Sequence, residues 1–355
     1  MPRHLAQKKR RLCTSNCTSK PRTGSSRTRT HRRSYTLQHC QRPFTEPVPG
    51  VKKGYRTTAR YRRAVLNAAE DFADLKTVRL RLRCSAGLLY RIVYEQLELR
   101  RRTRLYEWPA RVGIDEHYFK RNRRLDVREF VTMVVDLKNA RLMELVEGKR
   151  GDDIRAALEH IPGRENVKWV ALDLCDPYKR FAKDFFPNAR LVADKFHVLR
   201  LLMPAITKYR RLAAGDRDHP FLRKLLLRNG YRLKHHVRWQ LSQWLEGHPE
   251  LRALYQAKEA LHRLYRIRGH RRAAKALTKL TDALALSPLP PLQTLRKTLM
   301  RWRKEVLAYF ICRLTNARTE GFNGKAKVVK RRAYGYRSFE TYRLRLLNAC
   351  RGSAS

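Results

Sequence analysis

Residues 111–115 read Arg-Val-Gly-Ile-Asp, and three later runs have the same character: Phe130–Leu137 (FVTMVVDL), Val167–Leu174 (VKWVALDL) and Ala189–Asp194 (ARLVAD). Each is a short apolar run rich in Val, Ile or Leu, of strand length, and bounded by polar or charged residues. Arg141–Val146 reads as a further strand, while Asp152–His160 and Pro177–Phe186 carry a helical spacing of apolar residues. Three neighbouring strands joined by short turns, then helix, strand, helix and strand, predict an α/β fold with a mixed sheet.

Outward from this core the period changes on both sides. From about Val198 to Phe310 the pattern is helical throughout, with breaks at Gly215, Asn229-Gly230, Gly247–Pro249 and Ser287–Pro291. That is too long for a sheet crossover, so residues 201–310 are read as an all-helical insertion between two parts of one core, 110–200 and 311–350. Upstream, apolar residues from Val65 to Leu82, a turn at Cys84–Gly87 and a run from Leu88 to Tyr94 predict a helix-turn-helix over 55–103. Its last helix, with Arg91, would enter a DNA major groove.

Residues 1–50 are a basic segment. The first 45 residues hold twelve Lys or Arg and no Asp or Glu, with no sustained apolar period. The seven cysteines are an odd, scattered set rather than a disulfide framework. Cys13 and Cys17, with Cys40 downstream, are a candidate Zn2+ site of reduced form.

Charge narrows the partner. The chain of 355 residues carries 81 Lys plus Arg against 31 Asp plus Glu, a formal net charge of +50. Such an excess repels itself unless a polyanion is the usual partner, which points to nucleic acid. No apolar run approaches the roughly 18 residues needed to span a bilayer, and no apolar segment follows the basic start as in a secretory leader. The expected location is therefore the cytoplasm.

Against this basic background three acids stand out. Asp115 and Asp173 are read as lying at the ends of two strands, where open α/β sheets gather their functional groups. Two carboxylates on adjacent strand tips repel each other unless a cation lies between them, and hard oxygen donors suit Mg2+ or Mn2+. The third comes from Thr315–Lys327 (TNARTEGFNGKAK): as a helix it puts Asn316, Glu320, Asn323 or Gly324, and Lys327 on one face. Asp194, which ends another strand and is followed by His197, is the alternative to Asp173. His197 is either an anchor for the helix that follows or a DNA contact. Trp239, Trp244 and Trp302 read as core packing ahead of platforms for an unpaired base.

Residues 111–348 resemble the transposases of the ISL3 family of bacterial insertion sequences. The likeness rests on GIDEH (Gly113–His117), LDL followed by Tyr178, ADKFHVLR (Ala193–Arg200) and the run TNARTEGFNGKAKVVKRRAYGYRSFETYRLR (Thr315–Arg345). It implies a ribonuclease H-like catalytic domain, the fold whose strand order the sequence also suggests, interrupted by a helical insertion before the glutamate. It also implies an N-terminal zinc-binding segment and a helix-turn-helix. Asp115, Asp173 and Glu320 would then be the catalytic, metal-holding acids of a DDE transposase using two Mg2+ or Mn2+ ions.

Lys325, Lys327, Arg331, Arg332, His197 and Arg91 would contact DNA, both terminal inverted repeats and target. Work on paired ends implies a homo-oligomer, in the bacterial cytoplasm beside the nucleoid. Two other readings are a DNA-binding regulator that no longer catalyses and a ribonuclease H-like nuclease.

Overall fold

Valine-rich sequence becomes sheet in the computed structural model, which describes residues 49–71, 74–122, 127–214 and 220–351 together with short strand segments within 6–45. The side chains of Cys13, Cys17 and Cys40 lie outside the described residues, as does the reading of the first 45 residues as a DNA-contacting tail. The described chain divides into two compact units, one running up to Arg104 and taking in Lys325–Ala349, the other comprising Leu105–Gly324 and Cys350 onward.

The second unit is built on five strands: β1 (Arg111–Asn122), β2 (Val127–Asp136), β3 (Arg141–Glu147), β4 (Trp169–Leu172) and β5 (Arg190–Ala193). Their order in the sheet is β5-β4-β1-β2-β3. β5, β4 and β1 run parallel, and β2 is antiparallel to both β1 and β3. Strands buried on both faces read as continuous apolar runs, and Val170, Ala171 and Leu172 of β4 are fully buried accordingly.

Helices α4 (Gly151–Leu158) and α5 (Asp176–Phe185) carry the chain between β3, β4 and β5. Phe181 and Phe185 of α5, with Phe186, pack around Trp108, whose ring lies edge-on to Phe186 at 4.8 Å between centroids. Trp108 Nε1 donates to Ile161 O at 3.1 Å, so the buried indole keeps its hydrogen bond. Tyr178, the tyrosine after the LDL motif, is fully buried, and its hydroxyl lies 2.9 Å from Thr132 Oγ1 on β2. Tyr178→Phe removes one partner of this buried pair and is expected to cost about 1 kcal/mol of stability in a denaturant titration.

From Lys195 to Cys312 the described residues are mostly helical. After α6 (Lys195–Arg200) come α7 (Met203–Ala214), α8 (Pro220–Leu227), α9 (His235–Glu246), α10 (Pro249–Leu264), α11 (His270–Ala285), α12 (Pro290–Arg301) and α13 (Arg303–Cys312). Pro249 and Pro290 open their helices, where the missing N–H costs nothing. Leu251, Leu254, Leu261, Leu277, Leu295 and Leu299 line one core that runs on into the residues of β4 and β5. No described helix is long and apolar enough to cross a membrane.

The first unit contains α1 (Ala59–Asp71), α2 (Leu75–Arg81), α3 (Ala86–Arg102) and α15 (Phe339–Ala349). Asp74 caps α2 and Ser85 caps α3, each accepting a backbone N–H of the first turn. Val65, Val78, Leu89, Ile92 and Leu97 share a core with Leu344 of α15. The sequence reading grouped 311–350 with the sheet, whereas Lys325–Ala349 falls in this helical unit.

Candidate metal and phosphate site

The three parallel strands end in register. Ile114 of β1 pairs with Leu172 of β4, and Leu172 with Ala193 of β5. The next residue on each is an acid: Asp115, Asp173 and Asp194. β1 itself does not stop there. The expectation that Asp115 ends its strand is corrected, since β1 continues to Asn122 paired only with β2. What ends just before Asp115 is the parallel ladder, whose last pair is Ile114 with Leu172.

Asp115 and Asp173 lie in one cluster with His197, their ligand atoms all within 4.8 Å of one another. Asp115 Oδ1 accepts the Glu116 N–H at 2.7 Å, and Oδ2 accepts Asn323 Nδ2 at 2.8 Å. Asp173 Oδ1 lies 2.9 Å from His197 Nδ1 yet is buried without a hydrogen bond. The imidazole nitrogen is turned instead toward Asp194 Oδ2, at 3.1 Å.

Asp194 is differently employed. It caps α6, its Oδ2 accepting the N–H groups of Phe196 and His197, while its Oδ1 accepts the Asn316 N–H at 2.9 Å. Both of its oxygens are thus taken by this chain.

Helix α14 (Ala317–Arg332) is tied to the strand ends through its head. Asn316 donates through Nδ2 to Ile114 O at 3.1 Å, and its Oδ1 accepts Thr319 Oγ1 at 3.0 Å. Glu320 follows one turn after Asn316, is solvent-exposed, and precedes by three residues the Asn323 that holds Asp115. Asn323 Oδ1 is a second buried oxygen without a partner.

Electrostatics follow from crowding. Burial, then the hydrogen bond and negative charge of Asp173, push the Asp115 carboxyl up to about 8. Burial alone would lower His197, but Asp173 and Asp194 bind its cation and raise it to about 10. Burial opposes ionisation of Asp194 too, yet His197 and the Asn316 N–H bring its value down.

A family model described as transposase, that of the ISL3 group of DDE transposases, matches residues 112–346. The chain belongs to the ISL3 family of transposases. It is 28% identical over 236 residues to the transposase for insertion sequence element IS1001 of Bordetella parapertussis. That match covers 63% of this chain and 58% of the relative, so the chain spans somewhat over half of the relative's length. The stretch matched by the family model, residues 112–346, contains all of the acids above and both asparagines.

Among the other residues singled out in this ISL3-family chain, Lys327, Arg331 and Arg332 are exposed, and with Lys325 they lie on the second half of α14, which belongs to the first unit. Arg91 is exposed on α3. Trp302 is buried, as core packing requires, and Trp244 is half-buried with its ring 4.3 Å from that of His248. Trp239 departs from the core reading, being 61% exposed. Sequence reasoning missed the places of Asn316 and Asn323 as clamps on Ile114 and Asp115. It also missed His197 as a neighbour of Asp173.

The pKa shifts fix a sign for stability. An Asp at about 8 in the fold and about 3.9 unfolded holds its proton in the native state over that interval. The native state then binds more protons than the unfolded one, so its contribution is lost as pH rises toward 8. His197, at about 10 folded against about 6.5 unfolded, adds the same sign at higher pH. In chelator, the melting temperature of wild type relative to Asp115→Asn is expected to fall on going from pH 5 to pH 9; a relative rise would refute the assignment of these shifts.

Proposed function

We propose that this chain is a DDE transposase enzyme that binds the terminal inverted repeats of an insertion sequence and catalyses divalent-metal-dependent cleavage and transfer of DNA strands. The observation that carries this reading is the juxtaposition of Asp115 and Asp173 at the ends of neighbouring parallel strands, inside the stretch matched by the family. The strand order β5-β4-β1-β2-β3, with only β2 reversed, is what a ribonuclease H-like core requires and supports that assignment.

The donor set fits Mg2+ or Mn2+. Hard carboxylate oxygens are the ligands such ions take, and those of Asp115 and Asp173 come within 4.8 Å of each other, with the His197 cation standing beside Asp173 where an ion's charge would serve. We assign Asp115, Asp173 and Glu320 as the residues that hold the ions, with Asp173 preferred to Asp194 because both Asp194 oxygens already serve α6 and Asn316. Two such ions, when bound, would activate the attacking oxygen and stabilise the leaving one in an in-line displacement at phosphorus.

The chain's own residues do the rest. Asn323 fixes the orientation of the Asp115 carboxylate, and Asn316 holds against β1 the head of α14, the helix from which Glu320 would reach the ions. His197 balances the negative charge of Asp173 and Asp194 in the metal-free protein. The helix-turn-helix over α1–α3, with Arg91, would read the repeats, while Lys325, Lys327, Arg331 and Arg332 would bind phosphates. Action on paired ends would require a homo-oligomer, working in the bacterial cytoplasm.

The test is a joining assay. Purified protein with Mg2+ or Mn2+ and a duplex ending in the element's inverted repeat is expected to expose a 3′-hydroxyl and join it to a second duplex. Binding without either step would mark a regulator, and cutting without joining a nuclease.

A further inference from the structure

The first unit contains a cavity of about 500 Å3 that plays no part in the acid cluster. Its wall is made by the segment before α1, by α1 itself and by Gln96 and Arg100 of α3. Four cations line it, Lys52, Arg62, Arg63 and Arg100, and no carboxylate does. Glu95 and Glu70 stand behind it, engaging Arg62 and Arg100 from outside the lining.

The polar atoms at this cavity are not all used. The Arg62 guanidinium gives Nη2 to Glu95 at 2.6 Å and lies 4.3 Å from the centre of the Tyr55 ring, but its Nη1 is buried without a hydrogen-bond partner. Thr57 is 8% exposed, and its Oγ1 is likewise buried and unpartnered. A buried donor left unsatisfied costs about 1–3 kcal/mol, so a ligand acceptor drawn against Arg62 or Thr57 as the wall adjusts would recover that cost. Ala59, the first residue of α1, also lines the cavity, and brings the positive end of a thirteen-residue helix to it.

We propose that this cavity binds the phosphoryl group of a nucleotide. Planar guanidinium donors and a hydroxyl suit phosphate oxygens, and the absence of a lining carboxylate removes the repulsion an anion would meet. A bare anion would leave most of the volume empty. Tyr55, Ala59 and Leu66 supply the apolar wall that a sugar or base would cover. The nucleotide is either one unit of a DNA strand or a free mononucleotide; both present the same chemistry. For a DNA source the inference rests on the reading of α1–α3 as a DNA-binding unit, but for either source it is independent of the metal site and of strand transfer.

The test uses the full chain in EDTA, so that failure of the proposed catalysis leaves it untouched. Binding of dAMP is followed by calorimetry, and of a labelled duplex of arbitrary sequence by anisotropy over a range of salt, for wild type, Arg62→Met and Thr57→Val. If the source is DNA, both variants weaken duplex binding, Arg62→Met by about tenfold with a salt slope shallower by about one ion, and dAMP does not compete. If the source is a free nucleotide, dAMP binds wild type and is lost in both variants while duplex affinity stays unchanged.

Thr57→Val also guards against a folding artefact. Replacing an unsatisfied buried hydroxyl by a methyl of the same shape should leave the melting temperature equal or higher, so weaker binding there reports the ligand contact. Folded variants that match wild type in duplex affinity and salt slope, in a protein that does not bind dAMP, would overturn the proposal.

Discussion

Asp115→Asn is expected to lower strand cleavage and joining by about a thousandfold or more, which is about 4 kcal/mol of transition-state stabilisation, while binding to repeat DNA stays near wild type. The substitution keeps the shape of the side chain but removes the charge that a divalent ion requires. It also introduces a donor NH2 where both oxygens now accept, from Glu116 N and from Asn323 Nδ2. Turnover in Mg2+ or Mn2+ and gel-shift affinity, measured on the same preparation, separate the two effects. A variant that still cuts would remove Asp115 from the site.

Asp194→Asn makes the useful contrast. Asp194 serves as the cap of α6 and the acceptor for Asn316, so its loss should lower melting temperature as well as activity. Equal losses of activity without a change of stability would instead favour Asp194 as the metal-holding acid.

The parallel core was legible because burial on both faces leaves apolar runs such as VKWVALDL, whose ends are marked by acids. The continuation of β1 to Asn122 was not. Beyond Asp115 the strand has only β2 beside it, and Glu116, Tyr118 and Lys120 break the apolar run that signals a strand buried on both faces. The unit in which α15 falls was not legible for a similar reason. Leu344, Leu346 and Leu347 state that a helix buries a face but not against which partner.

That Asp173 and Asp194 follow strands and that Glu320 lies on a helix was legible in the sequence, but the contacts around these residues were not. Asn316 reaches Asp194 and Ile114, and Asn323 reaches Asp115, across separations of 122, 202 and 208 residues. Such contacts leave no period in the sequence. His197 was visible as a neighbour of Asp194 at helical spacing, and its approach to Asp173 depends on β4 and β5 ending in register. Trp239 looked like core because an aromatic on an amphipathic helix does not declare which side of the apolar stripe it occupies.

Gly113→Ala should be the most damaging substitution away from the acids. Gly113 sits in β1 two residues before Asp115, and an added Cβ there would meet Asn316 Oδ1 and Thr319 Oγ1 at 2.6 Å and Leu137 Cδ2 at 3.0 Å. Neither polar atom can swing aside cheaply, since Thr319 donates to Asn316 and Asn316 also grips Ile114 O and Asp194. The head of α14 must therefore shift, and with it Asn323 and Glu320.

Overpacking of this kind costs about 1–3 kcal/mol of stability, and a displacement of about 1 Å at positioned groups is enough for about a hundredfold loss of rate. Gly321→Ala is the control on the same helix, because nothing lies within 4 Å of its added Cβ. It should keep activity and gain up to about 1 kcal/mol from helix propensity. If Gly113→Ala cleaves DNA as well as Gly321→Ala does, the clamp formed by Asn316 does not position the site.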